Sequence, residues 1–78
     1  MTNEEIKQKL EASFHPYRCV AEIWDYRQKI RFHIFDQNDK PIITAPEIVI
    51  PKINRESWLS SLIRQTKDEI KRKNYFID

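Results

Sequence analysis

The chain's only thiol, Cys19, and its only two histidines, His15 and His33, are the residues best suited to covalent or proton-transfer chemistry near neutral pH. A Cys–His nucleophile needs its imidazole within hydrogen-bond reach and a thiol exposed enough for its pKa to fall. The flanking residues oppose this. Cys19 alternates onto a strand face with Tyr17, Ala21 and Ile23, whereas His33 alternates onto the opposite face of the next strand. Cys19 is therefore expected to be a small buried hydrophobe. His15 stands before Pro16, where the chain leaves a helix. Neither a Cys pair nor a His pair occurs at metal-ligand spacing. With no glycine in the chain, a Gly-rich phosphate loop is also excluded, and no oxyanion-hole turn is evident. The expectation is a non-enzymatic protein with no cofactor, no metal site and no small-molecule substrate.

Recognition chemistry is better represented. Arg18, Val20, Glu22 and Trp24 share one face of a first alternating segment, and Arg31, His33 and Phe35 share one face of a second. If helices cover only the other side, these seven residues form an open surface. Three readings fit it. It is a solvated face with cross-strand pairs such as Glu22–Arg31 and a ring under an arginine. Alternatively, Trp24, Val20 and Phe35 complete a protein partner or homodimer interface. In the third reading, aromatic and basic side chains stack and neutralise single-stranded nucleic acid.

The elements that must position these residues follow from periodicity. Residues 17–36 read as a β-hairpin. Both a two-residue and a four-residue loop keep the apolar faces together, and the lack of Gly or Asn for a primed turn favours the four-residue loop 25–28. That register sets Ile23 against Ile30 and Glu22 against Arg31. Thr2 with Glu5 fits a capping box opening a helix over 3–14, with Ile6, Leu10 and Phe14 as its apolar stripe. Residues 36–41 are turn-forming. Residues 42–50 form one strand or two, interrupted by Pro46, which demands an edge or a bulge. Asn54 is the expected N-cap of a helix over 55–73 carrying Leu59, Leu62, Ile63, Thr66 and Ile70, with Asn74 as its left-handed C-cap and Tyr75-Phe76 folded back on it. Its charge run, residues 67–73, mixes acids with bases and reads as a solvated face.

The predicted fold is α+β, a two-layer α-β-β-β-α domain over residues 1–78, with both helices on one face of a three-stranded antiparallel sheet. The expected core is Ile6, Leu10, Phe14, Cys19, Ala21, Ile23, Ile30, Phe32, Ile34, Ile48, Leu59, Leu62, Ile63 and Ile70. Seventy-eight residues leave room for one core only, because a chain this short buries about 60% of its unfolded surface. The net charge of +2 neither demands nor excludes an anionic partner. No apolar run approaches a membrane span, and the first ten residues lack the apolar centre of a signal peptide. With a lone cysteine, a reducing cytoplasmic setting is expected.

The stretch Ser13–Cys19, SFHPYRC, resembles a small bacterial family, domain-of-unknown-function family 1652. The matching residues are Phe14, Pro16, Arg18, Cys19, Phe35, Asp36 and the Leu62-Ile63 to Glu69-Ile70 stretch. The sequence departs from that pattern in lacking glycine in the hairpin turn and after the third strand. The resemblance implies a helix, a strand pair and a closing charged helix, and no activity. The α-β-β-β-α order is also that of the double-stranded RNA-binding domain, but that module needs lysines at the start of its last helix. Here that start reads Asn54-Arg55-Glu56-Ser57, so only topology is shared. The expected function is a protein-interaction or homodimerisation module acting through the open sheet face. The alternative is weak single-stranded nucleic-acid binding by the same face.

Overall fold

The computed structural model describes every residue except Asp25, Arg27 and Asp78. It contains helix α1 (Asn3–Ala12), strands β1 (Arg18–Trp24), β2 (Lys29–Phe35) and β3 (Pro41–Val49), and helix α2 (Arg55–Arg72). The strands make one antiparallel sheet in the order β1-β2-β3, and the apolar residues of both helices join the core on one of its faces. The expected α+β architecture is the one observed.

The N-terminal box forms as its spacing requires: Glu5 N–H donates to Thr2 Oγ1 at 3.2 Å, and Thr2 N–H donates to Glu5 Oε1 at 3.1 Å. Helix α1 stops at Ala12, two residues before its expected end, and Ser13 is the C-cap. Phe14 therefore reaches the core from a turn, closed by Tyr17 N–H donating to the Phe14 carbonyl at 2.8 Å. Its ring stacks on Phe32, with centroids 6.3 Å apart.

The hairpin takes the expected register. Ile23 faces Ile30, Glu22 faces Arg31, and Trp24 faces Lys29, which leaves four residues in the loop. Two of them, Asp25 and Arg27, lie outside the described residues. The inner face is three cross-strand rows, Cys19–Ile34–Ile43, Ala21–Phe32–Ala45 and Ile23–Ile30–Ile48. Strand β3 is continuous through Pro46, and the register shifts on either side of Ala45-to-Ile43. One shift inserts Pro46 and Glu47 opposite Arg31, so the proline sits in a bulge on an edge strand, where no ladder donor is required. The other leaves Ile42 between the partners of Ile34 and Phe35. These bulges defeat the alternation, so Ile42, Ile43, Ala45 and Ile50 are buried core residues outside the expected set. Within that set, Ile23, Ile48, Leu62 and Ile63 are only half-buried and pack against the core's flank.

With no glycine, left-handed backbone among the described residues falls to Gln28, Asp39, Asn54 and Asn74, at φ 50, 62, 55 and 68°. Asn74 closes α2 as expected: its N–H donates to the Lys71 carbonyl at 3.0 Å and the Tyr75 N–H to the Ile70 carbonyl at 3.2 Å, the paired bonds of a Schellman motif. Tyr75 then packs edge-on against Tyr17, but Phe76 stays 82% exposed and Ile77 is the tail residue that enters the core. Asn54 occupies the N-cap position without capping, because its left-handed backbone is not the extended one that aims the side chain at the first turn. Arg55 secures this end instead. Its guanidinium donates to the Pro51 carbonyl (2.9 Å), Gln28 Oε1 (3.0 Å), the Met1 carbonyl (3.2 Å) and Asn3 Oδ1 (3.3 Å). One side chain thus joins the N-terminus, the hairpin and the start of α2.

Candidate functional site

The face opposite the helices carries all seven residues expected there. Four cross-strand rows build it: Arg18–Phe35–Pro41, Val20–His33–Thr44, Glu22–Arg31 beside the Pro46 bulge, and Trp24–Lys29–Val49. Strand pleating alone places them, since residues two apart project to the same side. Val20, Arg31, His33 and Phe35 are half-buried; Arg18, Glu22 and Trp24 are exposed.

Charges and rings on this surface are matched to one another. Arg31 donates to Glu22 Oε2 at 2.8 Å and lies over the Trp24 ring, 4.9 Å from its centroid. Arg18 covers the Phe35 ring at 4.6 Å and pairs with Asp39 Oδ1 at 3.3 Å. His33 stacks beside Phe35 at 6.3 Å and faces Thr44 Oγ1 at 3.5 Å. The hydrogen bond from Arg31, followed by its positive charge, holds the Glu22 carboxyl below its ordinary value. The Arg31 Nε–H is buried without an acceptor, a cost that cation–π contact with Trp24 partly offsets.

Sequence reasoning missed Lys29, Thr44, Glu47, Val49 and Tyr26. Lys29 shares the parity of Arg31 and His33 and could have been found by that signal. Thr44, Glu47 and Val49 were hidden by the bulges in β3, and Tyr26 sits in the turn, where no periodicity applies. Lys29 Nζ lies 3.4 Å from Glu47 Oε2. Exposure is 36% for Trp24, 65% for Val49 and 95% for Tyr26, so the apolar surface is concentrated at the hairpin end.

Cys19 is buried on the core side. Burial, and then the nearby Glu11 carboxylate, push its thiol up to about 12. Glu11 itself accepts the Ala21 N–H of edge strand β1 at 3.0 Å. The sheet separates this thiol from His33. Among the described residues, no three His, Cys, Asp or Glu side chains gather as metal ligands, and no helix is long and apolar enough to cross a membrane.

Comparison with family models, curated proteins and solved structures finds no match to this chain.

Proposed function

We propose that the chain is a non-enzymatic protein-binding module whose open sheet face docks against another protein surface, a second copy of itself included. One observation carries this. Among the described residues of the face, three cations pair with three carboxylates, Arg18 with Asp39, Arg31 with Glu22 and Lys29 with Glu47. The surface is thus nearly neutral, with exposed apolar groups beside the pairs. Pairs of this kind keep their water at the polar rim of an interface while the apolar groups beside them are buried against a partner.

Single-stranded nucleic acid is the competing reading, and it asks for two other things. Cations must be free to displace counterions from phosphates, and ring faces must be open for bases to stack on. Guanidinium groups already lie over Trp24 and Phe35, which leaves Tyr26 as the one open ring of the face among the described residues, so the protein reading is favoured. It includes a cytoplasmic setting, supported by the lone buried thiol, and membership of family 1652, which contributes no activity.

Fluorescence separates the two. In a Trp58→Phe variant the remaining indole is Trp24. Protein docking should shift its emission as chain or partner concentration rises, and oligonucleotides at low salt should leave it unchanged. Salt-sensitive quenching by an oligonucleotide would transfer the proposal to nucleic acid.

A further inference from the structure

The hairpin end of the face narrows the choice of partner. Trp24, Lys29 and Val49 form its last row, and Tyr26 stands almost wholly exposed at the turn. Trp24, Tyr26, Lys29 and Glu47 line a concavity of about 340 Å³. The patch therefore presents a projecting ring, a hollow beside it, and one cation next to one carboxylate. In an interface related by a two-fold axis, residue i meets residue j twice. The Tyr26 ring of each copy can then fill the hollow of the other, and Lys29 of each can face the other's Glu47. Lys29 and Glu47 are already paired within each chain at 3.4 Å. A two-fold axis sets two such pairs head to tail, so that each ammonium lies near both carboxylates, whereas a uniformly acidic or basic partner opposes one member of the pair.

We propose that the open face is a homodimer interface centred on Trp24, Tyr26 and Val49, with Lys29 and Glu47 paired between copies. This rests on the protein-docking reading and specifies its partner. The area sets the strength. Seven-residue strands β1 and β2, with β3 beside them, offer a face of roughly 23 by 14 Å. That is well below the roughly 800 Å² that each partner contributes to a standard interface. The dimer is therefore of the weak, transient class that occupies the small end of interface sizes.

The test is a charge exchange read by sedimentation. Lys29→Glu places two carboxylates in each patch, and Glu47→Lys places two ammonium groups. Each variant alone should remain monomeric at concentrations where the wild type associates. Mixed in equal amounts, they should form a heterodimer, because opposite signs again meet across the axis. Both sites are on the surface, and unchanged circular dichroism confirms folding. A wild type that stays monomeric to about 1 mM overturns the second-copy partner and leaves the docking face to a different protein. A wild-type dimer indifferent to both charge variants, but dissociated by Val20→Lys, keeps the face and overturns the hairpin-end placement. A dimer indifferent to all three overturns the second-copy assignment of this face and places self-association elsewhere on the chain. A mixture that stays monomeric while the wild type associates overturns the exchange of Lys29 and Glu47.

Discussion

The two faces of this sheet are built from the same three strands yet solve opposite problems. Along β2, Ile30, Phe32 and Ile34 are almost completely buried, whereas Arg31, His33 and Phe35 between them are half-covered by each other's rings and charges. The inner side gains by removing apolar area from water, at about 25 cal/mol per Å². The outer side has no layer above it. Its pairs, Arg31 with Glu22 and Trp24, and Arg18 with Phe35 and Asp39, are exposed and each contributes little to stability. Stability therefore resides on one face, leaving the composition of the other free to serve recognition.

Truncating a ring on each of the two opposite faces tests this division most severely. Phe32→Ala should cost about 3–5 kcal/mol, a large part of the roughly 4–12 kcal/mol available to a domain of this length. Phe35→Ala should cost no more than about 1 kcal/mol, the scale of its cation–π contact. Urea midpoints measure both, and equal losses would erase the distinction between the faces.

Thiol reactivity sharpens the comparison. With its pKa pushed from 9.0 to about 12, native Cys19 at pH 8 holds about a thousandfold less thiolate than an ordinary cysteine, and alkylation should slow by at least that factor. A cysteine introduced by Val20→Cys in a Cys19→Ser background, one residue along but on the open face, should react at a rate near that of an unfolded thiol. Rapid labelling of native Cys19 would mean that the inner face is not closed.

Smaller effects should appear at opposite ends of the pH scale. The Glu22 carboxyl is held below its ordinary value of 4.5, so its contribution is present above that pH and fades as pH falls through the lower folded value. Because the group is exposed, Glu22→Gln should barely change the acid limb of a stability–pH curve. Cys19 behaves oppositely. Its raised folded value leaves its contribution intact below 9.0 and removes it as pH climbs towards 12, so Cys19→Ala should flatten the alkaline limb. A Glu22→Gln effect larger than the Cys19→Ala effect would reverse the assignment of stability to the inner face.

The hairpin was legible in the sequence because Cys19, Ala21 and Ile23, and then Ile30, Phe32 and Ile34, keep strict alternation, and the lack of Gly or Asn for a primed two-residue turn chose between the two registers that alternation allows. The seven residues of the open face follow from the same parity. Strand β3 was harder to read. Two bulges around Ile42 and Pro46 shift the inward positions, so neither Ile43 and Ala45 on the core side nor Thr44, Glu47 and Val49 on the open side could be placed by period-2 spacing. Asn54 misled for a local reason: its residue type suits a capping side chain, but its left-handed backbone does not. Arg55 carried no signal at all, since three of its acceptors, at Met1, Asn3 and Gln28, lie far along the chain and meet it only after folding.

Amide chemical shifts followed over a dilution series from about 1 mM chain downwards test the docking face most directly. The expected result is concentration-dependent movement confined to Trp24, Tyr26, Lys29, Arg31 and Val49, and abolished by Trp24→Glu. Movement confined to α1 or α2, with the Trp24 row unmoved, would contradict the assignment of binding to the open sheet face.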